Sequence, residues 1–542
     1  MLNKVFVQGN YTNILVLAVV AGMLLIVGLF NFVNIYTVVM LRRAREFGVK
    51  KVYGAGKWKI FSQIWAENFF TTTITMLFVW ALIELTGGVL ESEFSIPSKP
   101  DAGFDWLLSI LILVFFPLLT VIHPAVRYFR ASPVSSLRSV SVGGDSVVSR
   151  MIFLFSQYVI TFSLIVVSTF FVKQLYFMLN ADLGYRTKDV IQCQFLSHSS
   201  EAGYNADKLK KAEQTRQLIN DRLSSCPLFE EYATGDYPHI MEANVPVKKD
   251  GGEYQQAAQL FVSPAYMQLF GFQLLEGRMW NDSIDGFAQY RMIINESAKR
   301  LFEITDITQE RLQPEYRLWL SSDIEGMDTN PPYEIVGVIK DFKTNHLSKG
   351  NIPLVISYNS PWLFDPVIVS IVPGKRSEAV ALLQQLYDEW VGEGNFQYSF
   401  LEDEISAIYD EDRRTTRIYV TFAVIAIVIS CLGLFGLSLF DIRQRYREIA
   451  LRKVNGATAR EIFPLLLKKY AYVLGGAFVV AVPLFYLAIH KYLEGFMHRA
   501  PVSWYLFAFA AGITALVSYI TLVWQVNKAV RINPADVIKG EL

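Results

Sequence analysis

The chain has 542 residues, a formal net charge of zero, 52% hydrophobic residues and only 18% charged ones. A neutral chain lacks the global field of a nucleic-acid binder, and this apolar content exceeds that of an ordinary soluble multidomain protein. The class left is a membrane protein, because about 20 consecutive apolar residues cross a bilayer and several such runs occur here.

The first run, 13–40, is followed by a basic loop, 41–59, holding Arg42, Arg43, Arg45, Lys50, Lys51, Lys57 and Lys59. The second run, 66–90, carries Glu67 and Glu84 near its ends, where a carboxylate reaches the interface. A third run covers 106–126, and a fourth, 151–172, has no charged residue. A Leu, Ile, Phe or Val at the helix centre favours insertion by about 0.3–0.6 kcal/mol, whereas Asp, Lys or Arg opposes it by about 2.5–3.5. Runs 418–440, 466–489 and 503–526 complete seven candidate spans, with a second basic loop at 441–469. The Lys and Arg bias puts both basic loops, the linker 127–150 and the C-terminal tail in the cytoplasm. An odd number of crossings then puts the N-terminus outside. The first ten residues lack a basic n-region with a small-residue cleavage site.

Residues 173–417 contain no membrane-length apolar run and fall outside the cytoplasm in this scheme. They predict a mixed α/β domain. Tyr333–Ile339 and Met292–Asn295 have strand character, and Asn295 is placed to cap a helix over Glu296–Phe302. Ser263-Pro264 opens a helix that runs to Phe270 and closes at Gly271. Ser377–Trp390 is amphipathic, with Val380, Leu383 and Leu386 at helical spacing. Neither Pro nor Gly occurs in 151–183 or 401–432, so both flanking helices are expected to continue beyond the bilayer as unbroken stalks.

The most informative feature is a repeat. Residues 45–60 align without a gap on 447–462, with identical pairs Arg45/Arg447, Glu46/Glu448, Lys51/Lys453, Val52/Val454, Gly54/Gly456, Ala55/Ala457 and Ile60/Ile462. A duplicated basic loop between membrane helices is a place for an intracellular partner to dock on both halves of a pseudo-symmetric protein. The reading for 447–462 is a short cytosolic helix offering Ile449, Val454 and Ile462 as apolar contacts. Gly456 allows a tight turn or close approach, and Glu448 and Glu46 pair either within the loop or with the partner.

Enzymatic motifs are not evident. Gly54-Ala-Gly-Lys57 fails as a nucleotide loop, because Trp58 stands at the hydroxyl position and Lys51 at the first glycine position. The six histidines have no ligand spacing, and 403–412 reads as a solvated acidic stalk face rather than a catalytic cluster. No catalytic residue, metal or cofactor is expected. Cys193 and Cys226 fall in a disulfide-permissive region, which leaves a bridge open.

Arg447–Ala457, the unit ending Arg531–Lys539 with its echo at Arg130–Arg138, and the external motifs Leu275–Arg278, Ile293–Glu296 and Tyr333–Asp341 carry a resemblance. The chain resembles MacB/FtsX-like permeases of ATP-binding-cassette (ABC) transporters, in a fused two-unit form lacking the first transmembrane helix and first periplasmic domain. The resemblance implies a polytopic α-helical membrane protein, with about seven transmembrane helices and one large α/β extracytoplasmic domain. Its divisions are 1–140, a truncated FtsX-like three-helix membrane domain; 141–150, a cytoplasmic linker; and 151–172, the helix opening the second unit. They continue with 173–417, a MacB-like periplasmic core domain, and 418–542, a second three-helix domain.

The implied role is a non-catalytic permease subunit in the bacterial inner membrane. ATP hydrolysis by a separate cytosolic ABC ATPase moves the periplasmic domain and drives efflux of peptides, antibiotics or lipoproteins. The expected docking residues are Arg45, Glu46, Lys51, Gly54 and Ala55 with Arg447, Glu448, Lys453, Gly456 and Ala457. Other partners implied are the bilayer and a periplasmic adaptor or outer-membrane protein, and no nucleic acid. A rival reading is a sensor or scaffold that reports external ligand binding to an ATPase without transport. Cargo and oligomeric state are not legible.

Overall fold

The computed structural model describes residues 11–94, 102–130, 144–196, 206–239, 241, 243–285, 290–315, 332–358, 365–392, 395–494 and 500–530. In chain order the elements are α1 (Tyr11–Arg42), α2 (Ala44–Val52), α3 (Lys57–Phe94), α4 (Ala102–Arg130), α5 (Gly144–Leu179), β1 (Val190–Gln194), α6 (Ala206–Ser225) and β2 (Phe229–Thr234). There follow β3 (Val245–Lys249), β4 (Gln255–Val262), α7 (Pro264–Phe270), β5 (Leu274–Gly277), α8 (Asp282–Asp285), β6 (Arg291–Asn295), α9 (Glu296–Leu301), β7 (Arg311–Pro314) and β8 (Tyr333–Ile339). The chain continues with β9 (Leu354–Tyr358), β10 (Val367–Ile371), α10 (Arg376–Trp390), β11 (Gln397–Phe400), α11 (Leu401–Ile408), α12 (Asp410–Gln444), α13 (Tyr446–Val454), α14 (Ala459–Leu493) and α15 (Trp504–Val530).

The chain divides into a helical unit, 1–175 with 412–494 and 500–542, and a sheet-rich unit, 176–411 with 495–499. In the helical unit, seven helices among the described residues are long and apolar enough to cross a membrane. Six contain a span read from hydropathy, and α15 begins one residue inside the seventh, 503–526. The chain is a polytopic α-helical membrane protein with a large mixed α/β domain.

Helix α5 already starts at Gly144, so residues 144–150 of the expected linker are helical. Past Gly144 nothing in that stretch interrupts helical hydrogen bonding. Its middle is the most buried part of the bundle: Phe162, Ile165 and Val166 pack with Tyr419 and Ala423 of α12 and Ala481 of α14. Helix α1 comes close to α12, where Ile35 Cγ1 would lie 3.1 Å from a Cβ on Gly436. Small residues permit such approach between membrane helices.

In the sheet-rich unit, β8-β6-β9-β4-β3-β7 pair in sequence and β7 pairs back to β8, closing a ring, with β5 added on the free half of β8. Side chains alternate across this wall. Met292, Ile294, Ala257 and Val355 enter one core, while Ile293, Ala258, Leu354 and Ile356 enter another. A second sheet, ordered β11-β1-β10-β2, is antiparallel throughout. Leu383 and Leu386 of α10 and Ile219 and Leu223 of α6 join its core. Strand β8 and helices α7 and α9 occupy the segments their sequences indicated: Ser263 Oγ accepts from Tyr266 N, and Asn295 Oδ1 from Ala298 N.

Two expectations change. The second stalk is not continuous over 401–432: α11 ends at Ile408 and α12 begins at Asp410. Tyr409 between them is buried, with its ring 4.9 Å from that of His346. Cys193 and Cys226 are free thiols, so the bridge left open is not formed.

Candidate functional site

The two basic loops fold into matched elbows. Helices α2 and α13 each have nine residues, and counterparts stand 402 positions apart, as Gly54 and Gly456 do. The elbows agree hydrogen bond for hydrogen bond. Gly54 N donates to Lys51 O and Gly456 N to Lys453 O, both at 3.0 Å; Ala55 N donates to Lys50 O and Ala457 N to Arg452 O, both at 2.9 Å. This pair of bonds is the Schellman closure, which needs a left-handed residue just past the helix. Gly54 and Gly456 supply it with φ of 84° and 89°. Nothing lies within 4 Å of a Cβ built on either glycine, so within this chain they serve the turn and not a close approach. The helix expected over 447–462 therefore breaks after Val454 and restarts at Ala459.

Inside each elbow an apolar seat fixes the short helix to the bundle. Phe47, Ile60, Ile64 and Val121 form the first seat; Ile449, Ile462, Leu466 and Val526 belong to the second. Ile449 and Ile462 are only 3% and 1% exposed, which corrects their expected role as partner contacts: both are spent on the chain's own core. Val454 stays outward at 65% exposure.

The acidic residues pair within their own loops. Glu46 accepts from Arg43 at 2.9 Å and from Lys50 at 2.8 Å, and these bonds hold its carboxyl down at about 2. Arg43 also donates to Glu67 at 2.5 Å, which gives that carboxylate of α3 a partner at the end of the span. Glu448 accepts from Arg452 at 2.9 Å. Burial, then the nearby Lys57 charge, lowers the Lys51 ammonium from its usual range. Lys453 is half-buried. The side chains of Arg45 and Arg447 lie outside the described residues.

The outward face was only partly legible. Val49 and Val52 of α2 are 41% and 60% exposed, and their counterparts Leu451 and Val454 are 51% and 65% exposed. Residues three apart share a helix face, so each elbow presents an apolar pair ringed by basic residues. Val52/Val454 is an identical pair in the repeat. Val49/Leu451 went unread because it is conservative, and only the fold shows that it faces out. Tyr53 and Trp58 extend the first face and have no counterpart in kind, since Asn455 and Arg460 stand there.

The external motifs gather into structural bonds rather than a reactive centre. Arg278 and Arg291 hold the fully buried carboxylate of Asp285 at 2.5 and 2.9 Å. Asp341 takes the Ser297 amide and hydroxyl, Arg300 and Asn351. Gly277 is required because a Cβ there would stand 2.3 Å from Val336 O.

Residues 18–133 and 420–534 each match the FtsX-like permease C-terminal family model, and the two matches begin the same 402 positions apart. In these two regions the chain is similar to FtsX-like permeases. The chain is 23% identical over 297 residues to the macrolide export ATP-binding/permease protein MacB of Escherichia coli (strain K12), covering 52% of this chain and 43% of that protein. With MacB 1 of Yersinia pestis bv. Antiqua (strain Antiqua) it shares 23% over 300 residues, 53% of this chain and 44% of the other. The chain thus spans less than half the length of these relatives. Among solved structures, it is similar to the periplasmic region of MacB from Actinobacillus actinomycetemcomitans, at 12% identity and TM-score 0.28, over 43% of this chain and 98% of that one. The extracellular domain of the noncanonic ABC-type transporter YknZ gives 12% identity and TM-score 0.25 over 39% of this chain and 99% of the other.

Proposed function

We infer that this chain is the transmembrane subunit of an ABC-type transporter, with a separate cytosolic ATPase seated on its two elbows. The observation that carries this reading is the match between the elbows. Two nine-residue helices with the same closure expose an apolar pair at counterpart positions, among basic residues. Positive-inside anchoring accounts for the charges. It does not account for a repeated left-handed glycine and a repeated exposed apolar pair, which suit a partner that contacts both halves alike.

In this reading residues 173–417 lie on the extracytoplasmic side of a bacterial inner membrane. Closure of the ATPase shifts the elbows. Their apolar seats pass the shift to α3, α12 and α14, and α5 and α12 lead by chain continuity to the external domain. Export of peptides, antibiotics or lipoproteins is the corresponding activity, by analogy with relatives named as macrolide exporters, with a periplasmic adaptor or outer-membrane protein as a further partner.

The test is co-purification of a co-expressed cognate ABC ATPase with Val49→Asp/Leu451→Asp. Both side chains point outward, so the variant is expected to insert and melt like the parent while retaining at least tenfold less ATPase. Undiminished ATPase on a folded double variant contradicts the docking assignment. For orientation, Arg300→Cys is expected to label from outside and Asn455→Cys only after permeabilisation.

A further inference from the structure

We propose that a crevice between α14 and α15 holds one acyl chain of an anionic phospholipid of the cytoplasmic leaflet, its phosphate at Lys468. The leaflet rests on the orientation proposed above; the crevice itself does not. Its volume is about 400 Å³, within the roughly 300–1,000 Å³ range of small-molecule sites. Tyr158 of α5 contributes to the lining and is 1% exposed.

The opening is written into the differences between the repeats. Ala471, Ala515 and Ser518 line it, where the first repeat has the larger Phe69, Leu113 and Phe116. In the first repeat Asn68 Nδ2 donates to Thr120 Oγ1 at 3.0 Å and ties α3 to α4. The counterparts of that pair are Tyr470 and Leu522. Leucine has no polar group to bond, and the Tyr470 hydroxyl donates instead to Asp441 Oδ2 at 2.8 Å. Small side chains and a lost cross-helix bond leave α14 and α15 apart.

The occupant follows from the lining and from the charge at one end. The walls are almost wholly apolar, and Leu516 and Tyr519 at the rim are 58% and 59% exposed on a membrane-spanning helix. Only a lipid tail or a similarly apolar chain gains from entering there. Leu467 to Leu474 is about 10 Å along the helix, a length suited to part of one acyl chain. At the Leu467 end Lys468 is exposed and Lys469 half-buried, where the counterparts are Ala66 and acidic Glu67. Asp441 takes the Lys469 ammonium and Arg43 takes Glu67, so the second repeat offers the exposed Lys468 ammonium where the first has uncharged Ala66, and a phosphate there complements the second.

The probe is a nanodisc of equal phosphatidylcholine and phosphatidylglycerol around the full chain without ATPase, read by native mass spectrometry. The parent is expected to retain one phosphatidylglycerol. Ala471→Phe/Ser518→Phe, which installs the first repeat's residues, is expected to retain it at least tenfold less at an unchanged melting temperature. Lys468→Glu is expected to abolish the preference for the anionic lipid. Should the double variant not fold, Leu474→Trp fills the same space. Retention at the parental level in a folded, filled variant, or no retained lipid in the parent, overturns the proposal. Because no ATPase is present, a failure of the docking reading leaves this result intact.

Discussion

Asn31 and Gly433 are counterparts in the repeat, and they meet: a Cβ on Gly433 would stand 2.8 Å from Asn31 Oδ1. Where two equivalent halves pack about a two-fold axis, only residues on the axis meet their own counterparts. A two-fold relation between the two repeats would put its axis at the seam of α1 and α12 beside this pair. Gln157 of α5, outside the three-helix repeat, comes equally close and donates to Ile429 O at 3.3 Å.

Gly433 is thus a packing glycine, with the half-buried Asn31 amide and the buried Gln157 amide where a Cβ would go. Gly433→Val should destabilise the bundle by about 1–3 kcal/mol, the usual range for overpacking, and lower its melting temperature in detergent. Gly436→Ala, which meets one Ile35 carbon at 3.1 Å, should cost less. A Gly433→Val protein as stable as the parent would show that the seam is loose.

Gly54 and Gly456 differ in kind, because they have space and lack only conformational tolerance. A side chain in the left-handed region costs about 1–2 kcal/mol, more when β-branched. Gly54→Val and Gly456→Val should speed amide exchange at residues 53–55 and 455–457 respectively and weaken ATPase association, while membrane insertion stays intact. Asn at either position should be nearly silent. Equal exchange in all variants would remove the closure from the argument.

Asp285 gives the sheet-rich unit an acid-sensitive joint. Burial alone would raise its carboxyl, but hydrogen bonds from Arg278, the Asn281 amide and Arg291 outweigh that and hold it at about 2. A depressed carboxyl contributes stability above its ordinary value, and that contribution is lost as pH falls towards 2. Asp285→Asn should cost about 1.5–3 kcal/mol at neutral pH, since both arginines are partly exposed and can rehydrate. It should also flatten the fall in melting temperature between the ordinary carboxylate range and pH 2. An unaltered acid limb would assign that fall to other carboxylates.

Cys193 has no solvent exposure, and burial pushes its thiol well above the usual range. Native protein should react with maleimide at half-buried Cys226 and not at Cys193; both should react after unfolding without reductant. Protection of both thiols in the unfolded, unreduced protein would reveal a bridge.

The sequence alone determined the spans, the repeat and, in the external domain, strands β6 and β8 and helices α7, α9 and α10, because each depends on local chemistry. Twenty apolar residues insert wherever they occur, Ser263-Pro264 and Asn295 cap their helices through bonds to residues three positions on, and an ungapped Gly-Ala at two sites demands the same turn twice. The residue-level assignment of the elbows was mixed, because an apolar residue in a basic loop reads alike whether it faces a partner or its own bundle. Only the tertiary structure decided that Ile449 and Ile462 turn inward while Leu451 and Val454 turn out, that Glu46 is taken by Arg43 and Lys50, and that Tyr409 breaks a stalk with no helix-breaking residue. It alone brought Asn31 to Gly433 and opened the crevice beside Tyr470. These outcomes depend on which faces of distant helices meet, and that choice is made by the sum of many weak contacts rather than by any one stretch of chain.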